Sequence, residues 1–173
     1  MDRRNFFKSF SSVLTKDKKE DIFLIRPPYN RDNSLFDKEC INCEKTPCIT
    51  FCEEDIIKLS DDKTPFLDFL DSGCTYCEKC LKACPSDVLS DKKEKIKVKI
   101  EIDITKCISW DSVMCFSCKE LCLDNAIDFL GLFRPEINEK CTNCGFCISV
   151  CPTNAITIRS VGIPAHELEK KEM

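Results

Sequence analysis

The chain of 173 residues contains 16 cysteines, with 26 basic and 30 acidic side chains giving a formal net charge of −4. So much cysteine marks a disulfide scaffold or a metal-loaded protein, and the slight acidic excess lacks the basic footprint of nucleic-acid binding. The glycines Gly73, Gly131, Gly145 and Gly162 are too scattered for a dinucleotide turn or a phosphate-cradling loop, and the single histidine, His166, lies in a charged tail where a buried base is not expected.

In chain order, residues 1–32 read as a basic N-terminal segment and linker. Arg3, Arg4, Lys8, Lys16, Lys18 and Lys19 dominate its start, and Phe6, Phe7, Phe10, Val13 and Leu14 recur at helical spacing. Such a helix either packs on its own body or docks, through Phe6, Phe7 and Phe10, on a partner or a membrane surface. No apolar run of signal-peptide length follows the basic start, which predicts a cytoplasmic protein. In that reducing compartment dense cysteine points to metal ligands rather than disulfides. Arg26-Pro27-Pro28-Tyr29 reads as extended, because proline and the residue before it both disfavour helix.

Four groups of four cysteines follow: Cys40, Cys43, Cys48, Cys52; Cys74, Cys77, Cys80, Cys84; Cys107, Cys115, Cys118, Cys122; and Cys141, Cys144, Cys147, Cys151. Groups start 34 residues apart within each half, and the halves start 67 apart, so the chain is an internal duplication. Between the halves, Lys95–Asp103 alternates with Ile96, Val98, Ile100 and Ile102 on one face, a half-buried strand. Further short strands are predicted near Pro65–Phe69, Phe133–Ile137 and Ala155–Ile158. The uncharged stretch from Cys141 to Ile158 carries four cysteines and Pro152, so it is no transmembrane helix. A polar tail, 161–173, closes the chain.

Groups two and four follow C-x2-C-x2-C-x3-C-P, closed by Pro85 and Pro152. This run holds a [4Fe–4S] cluster in bacterial ferredoxins, with the fourth cysteine reaching the other cluster of a pair. Three cysteines at threes can surround one face of an iron–sulfide cube, and the fourth points away from that loop. The expected ligation is therefore crossed. Cys40, Cys43 and Cys48 pair with Cys84, and Cys74, Cys77 and Cys80 with Cys52. Cys107, Cys115 and Cys118 pair with Cys151, and Cys141, Cys144 and Cys147 with Cys122. Zinc would use four ligands from two separated pairs, leaving the middle cysteine of each run without a role. The expected fold is α+β, two tandem two-cluster ferredoxin-like modules (33–95 and 96–160) of short hairpins and helices around four [4Fe–4S] clusters. Each module is too small for a sufficient apolar core without metal.

Groups one and three depart from the short spacing. Four residues separate Cys43 from Cys48, and Glu53 stands where proline closes the other groups; seven residues separate Cys107 from Cys115. The chain resembles the NapF-type ferredoxins, which accompany the periplasmic nitrate reductase. The resemblance rests on Arg3-Arg4-x-Phe6-Phe7-Lys8, on the Arg26-Pro27-Pro28-aromatic segment and on the four groups in this order. The widened Cys107-x7-Cys115 gap is its most specific element, and group one carries two residues more than the family pattern between Cys43 and Cys48. The resemblance implies a cytoplasmic maturation factor that meets the catalytic molybdenum subunit before export and supplies electrons to it. The competing functions are a general electron carrier between a dehydrogenase and a reductase, and a scaffold whose clusters only hold the fold. A stand-alone enzyme is the least expected class, because every cluster iron has a cysteine ligand.

Overall fold

A computed structural model describes residues 24–160; the Arg3-Arg4 opening, Phe6, Phe7, Phe10 and His166 lie outside them. The fold is a small α+β arrangement of short elements repeated twice. The first half holds α1 (Pro47–Thr50), the hairpin β1 (Ile57–Leu59) and β2 (Pro65–Leu67), and α2 (Lys79–Ala83). The second half opens on β3 (Val98–Ile102) and continues with α3 (Ser117–Glu120), the hairpin β4 (Ile127–Leu130) and β5 (Phe133–Ile137), α4 (Phe146–Ser149) and β6 (Ile156–Ser160).

Pairing makes the repeat concrete. β1 pairs antiparallel with β2 through Ile57 opposite Leu67, and β4 pairs with β5 through Ile127 opposite Ile137. β3 and β6 then pair antiparallel around the second half, with Ile100 opposite Ile158 and Ile102 opposite Ile156. The first half has the same closure in reduced form, a single antiparallel bridge between Asn30 and Leu89. The alternation foreseen in β3 is real: Val98 and Ile100 are buried while Lys97 and Lys99 face outward.

The Arg26-Pro27-Pro28-Tyr29 segment, expected as an extended linker, is free of helix but turns at Pro28 and Tyr29, where Tyr29 takes a left-handed φ of 72°, and it is packed into the first half. Pro27, Pro28 and Tyr29 are buried. The Ile25 carbonyl accepts from Leu67 N–H at 2.7 Å, and the Tyr29 carbonyl accepts from Ser90 and Asp91. Arg26 donates to Thr64 Oγ1 at 2.7 Å and to the Pro65 carbonyl at 3.0 Å, and its guanidinium lies 4.9 Å from the centre of the Phe36 ring.

A second repeat follows the fourth cysteine of every group. Asp55, Asp87, Asn125 and Asn154 stand three residues after Cys52, Cys84, Cys122 and Cys151, and all four adopt left-handed φ of 52°, 53°, 54° and 51°. Asp and Asn reach this region more cheaply than other side chains. The turn then delivers two apolar residues inward: Ile56-Ile57, Val88-Leu89, Ala126-Ile127 and Ala155-Ile156 are all buried. Replacing Asn154 by Val is expected to cost about 1–2 kcal/mol, whereas Asn154→Gly should be nearly neutral. Thermal unfolding of the anaerobic protein checks this.

Candidate metal centres

The α-helices span four or five residues, far below the length at which a helix is stable alone. Each carries the third cysteine of its group as its second residue: Cys48 in α1, Cys80 in α2, Cys118 in α3 and Cys147 in α4. The fourth cysteine follows one or two residues beyond the helix end. It therefore leaves the loop that presents the first three thiols, and the hairpins and strands decide where it arrives.

Three hollows show the result. One is bordered by Cys74, Cys77, Cys80 and Cys52 together with Tyr29, Ile56 and Leu67. Another is bordered by Cys107, Cys115, Cys118 and Cys151 together with Ile102, Pro135 and Ile156. The third is bordered by Cys141, Cys144, Cys147 and Cys122 together with Ile100, Ile127 and Ile137. Each takes three cysteines from one group and the fourth from its neighbour. For the remaining set, Cys84 is the neighbour that raises the Cys40 thiol most and also acts on Cys48. All sixteen cysteines are free thiols rather than disulfides.

The electrostatics follow from burial. Desolvation pushes Cys48, Cys80 and Cys147 up to about 12 and Cys40, Cys74 and Cys118 up to about 11, with neighbouring sulfurs adding to each. Cys151 goes the other way: burial raises it, but amides of Thr153, Ala155 and Ile156 outweigh that and leave it lowered. Ala155 N–H donates to Cys151 Sγ at 3.2 Å, and Ala126 N–H to Cys122 Sγ at 3.1 Å. Both donors sit on the turn that the left-handed Asn creates. Four soft donors around an apolar-walled hollow, some with amides aimed at sulfur, fit a [4Fe–4S] core. Its iron would offset the cost of gathering four thiolates out of water, and its loading would displace the thiol protons.

The enlarged loops are also accommodated. Between Cys43 and Cys48, Thr46 turns left-handed and Pro47 opens α1. Glu53, which replaces the closing proline, pairs with Lys79. Between Cys107 and Cys115 the chain coils into tight turns, with Trp110 N–H donating to the Cys107 carbonyl and Val113 N–H to that of Ile108. Ser109 is buried, and Arg134 lies 5.7 Å from the Trp110 ring centre.

Comparison with known proteins agrees with this chemistry. A 4Fe-4S dicluster domain matches residues 39–88 and a 4Fe-4S binding domain matches residues 135–157. The ferredoxin-type protein NapF of Haemophilus influenzae is 32% identical over 168 residues, covering 92% of this chain and 94% of its own length. NapF of Escherichia coli K12 is 32% identical over 141 residues, covering 77% of this chain and 83% of its own length. The chain belongs to the NapF family of ferredoxin-type proteins. A methylamine utilization ferredoxin-type protein, MauM of Methylobacillus flagellatus, is 27% identical over 159 residues, covering 79% of this chain and 67% of its own.

As a NapF-family member the chain is an iron–sulfur protein that uses [4Fe–4S] clusters. Sequence reasoning found the cysteines but missed the four left-handed Asp and Asn residues, whose constant offset from each fourth cysteine was the available signal. Because the buried thiols belong to the same apolar cluster as Phe36, Ile57, Leu67, Ile100 and Ile127, iron removal should empty the core. Treatment with ferricyanide and a chelator is expected to bleach the visible absorption and abolish the β-strand circular dichroism together. Bleaching with secondary structure retained would contradict this.

Proposed function

We propose that the chain is a four-cluster polyferredoxin built as two tandem two-cluster modules, 33–95 and 96–160, with crossed ligation inside each. The hollows carry this reading, since each draws three thiols from one group and one from its neighbour. Anaerobically prepared protein should then hold on the order of sixteen irons and sixteen sulfides per chain by the four-thiols-per-cluster rule. Zinc in place of iron, or sulfide near zero, would contradict it.

Double substitutions test the crossing. Cys84→Ala with Cys40→Ala removes two ligands of one set, so the second change should add little iron loss. Cys84→Ala with Cys77→Ala touches two sets, so the losses should add, as independent sites do. The reverse pattern would show that each group encloses its own cluster.

Kinship supports a role. The similarity to NapF over 92% of the chain supports an accessory protein of the periplasmic nitrate reductase that acts in the cytoplasm. There it meets the catalytic molybdenum subunit before export and donates electrons during its maturation, without an enzymatic activity of its own. Among the described residues no helix is long and apolar enough to cross a membrane. The likeness to MauM favours, as a second reading, a general electron carrier between a dehydrogenase and a reductase. A pull-down with anaerobic holo-protein separates them: the molybdenum subunit should be recovered under the first reading, and a dehydrogenase under the second.

A further inference from the structure

The two halves meet through groups two and four. Cys74 N–H donates to the Cys144 carbonyl at 2.6 Å, so a cysteine of one half is hydrogen-bonded directly to a cysteine of the other. Tyr76, between Cys74 and Cys77, donates its hydroxyl proton to the Thr142 carbonyl at 2.5 Å and accepts from Ile96 N–H at 3.4 Å. Asn143 Nδ2 donates to the Ile96 carbonyl at 3.4 Å.

Two glycines make this approach possible. A Cβ on Gly73 would lie 2.5 Å from the backbone nitrogen of Phe146, and a Cβ on Gly145 would run into the Phe69 ring. Gly73 precedes Cys74 and Gly145 follows Cys144, so each half has given up a side chain where it meets the other. Gly145 also takes φ +90°, a conformation that L side chains rarely adopt. Groups one and three take no part in these contacts. Within the second half, α3, which carries Cys118 of group three, packs against α4, which carries Cys147 of group four, and this brings the remaining set alongside.

We propose that the four clusters form one linear electron wire that does not follow chain order: group one, group two, group four, group three. The step between halves crosses the Cys74–Cys144 hydrogen bond, and the irregular groups one and three form the two ends. One electron from an external one-electron donor protein reduces an end cluster. That cluster is reoxidised as its neighbour is reduced, and the last cluster returns the electron to an acceptor protein. Duplication of a two-cluster unit joined head to tail would instead place group two beside group three. The wire rests on the four-cluster reading, and the experiment keeps the two apart.

Two double variants of the full chain decide the order. Cys40→Ser with Cys107→Ser leaves the group two and group four sets whole; Cys40→Ser with Cys141→Ser leaves the group two and group three sets whole. Both are prepared anaerobically, assayed for iron and reduced with dithionite for low-temperature electron paramagnetic resonance. The expected result is about half of the wild-type iron in each, with spin–spin splitting and fast relaxation in the first variant and two non-interacting spectra in the second. Interaction in the second but not the first overturns the order while leaving the four-cluster reading intact; wild-type protein without iron overturns that reading itself. Gly73→Val keeps all sixteen thiols and covers the case in which ligand loss collapses the protein. It should hold wild-type iron yet lose the coupling between halves, and a spectrum identical to wild type would overturn the wire.

Discussion

Everything in this structure depends on gathering thiols away from water. Burial pushes many of them toward the protonated form, so an apolar-walled hollow that gathers four sulfurs is costly until a cationic core takes the place of their protons. Conversely, the described residues have little else with which to hold together: their α-helices are single turns, one short π-helical segment spans Phe36–Cys40, and their sheets are two-stranded. Two-stranded pairs are marginal in water unless packed on something. Here the packing partner is the sulfur-lined interior, and chain and clusters order one another.

Under the crossed ligation we propose, the sharing of thiols converts that local chemistry into a fold. If each group served only its own hollow, the segments between groups could move independently. A fourth cysteine that belongs to a distant hollow closes a loop through the hairpin between two groups, much as a disulfide closes a loop, and limits the unfolded chain in the same way. The left-handed Asp or Asn after each fourth cysteine adds the local part, reversing the chain so that two apolar residues cover the cluster side and, after Asn125 and Asn154, an amide meets the sulfur. Amides that donate to cluster ligands are a recognised lever on reduction potential. Ala126 and Ala155, whose amides donate to Cys122 and Cys151, would exert it in the second half under the proposed ligation.

Much of this was legible in the sequence, and what was not has identifiable causes. Cysteine spacing, the repeat, β3 and β5 were readable because their patterns are long or chemically specific. The strand expected near Pro65–Phe69 ends at Leu67, because Phe69 turns away to pack over Gly145. Strands β1 and β4 open on the second residue of an apolar pair and are too short to show alternation. Two prolines in Arg26–Tyr29 correctly excluded helix, but nothing local revealed that Arg26 would reach Thr64 and Phe36. Gly73 and Gly145 looked incidental in the sequence because the space they leave is filled by the other half of the molecule.

The most direct test of the account is an iron anomalous-scattering map from crystals of anaerobically prepared protein. Four compact iron densities are expected, each enclosed by three cysteines of one group and the fourth of its neighbour, with those of groups two and four adjacent across the Cys74–Cys144 contact. Four densities each enclosed by four consecutive cysteines, or single metal ions at the thiol sites, would contradict it.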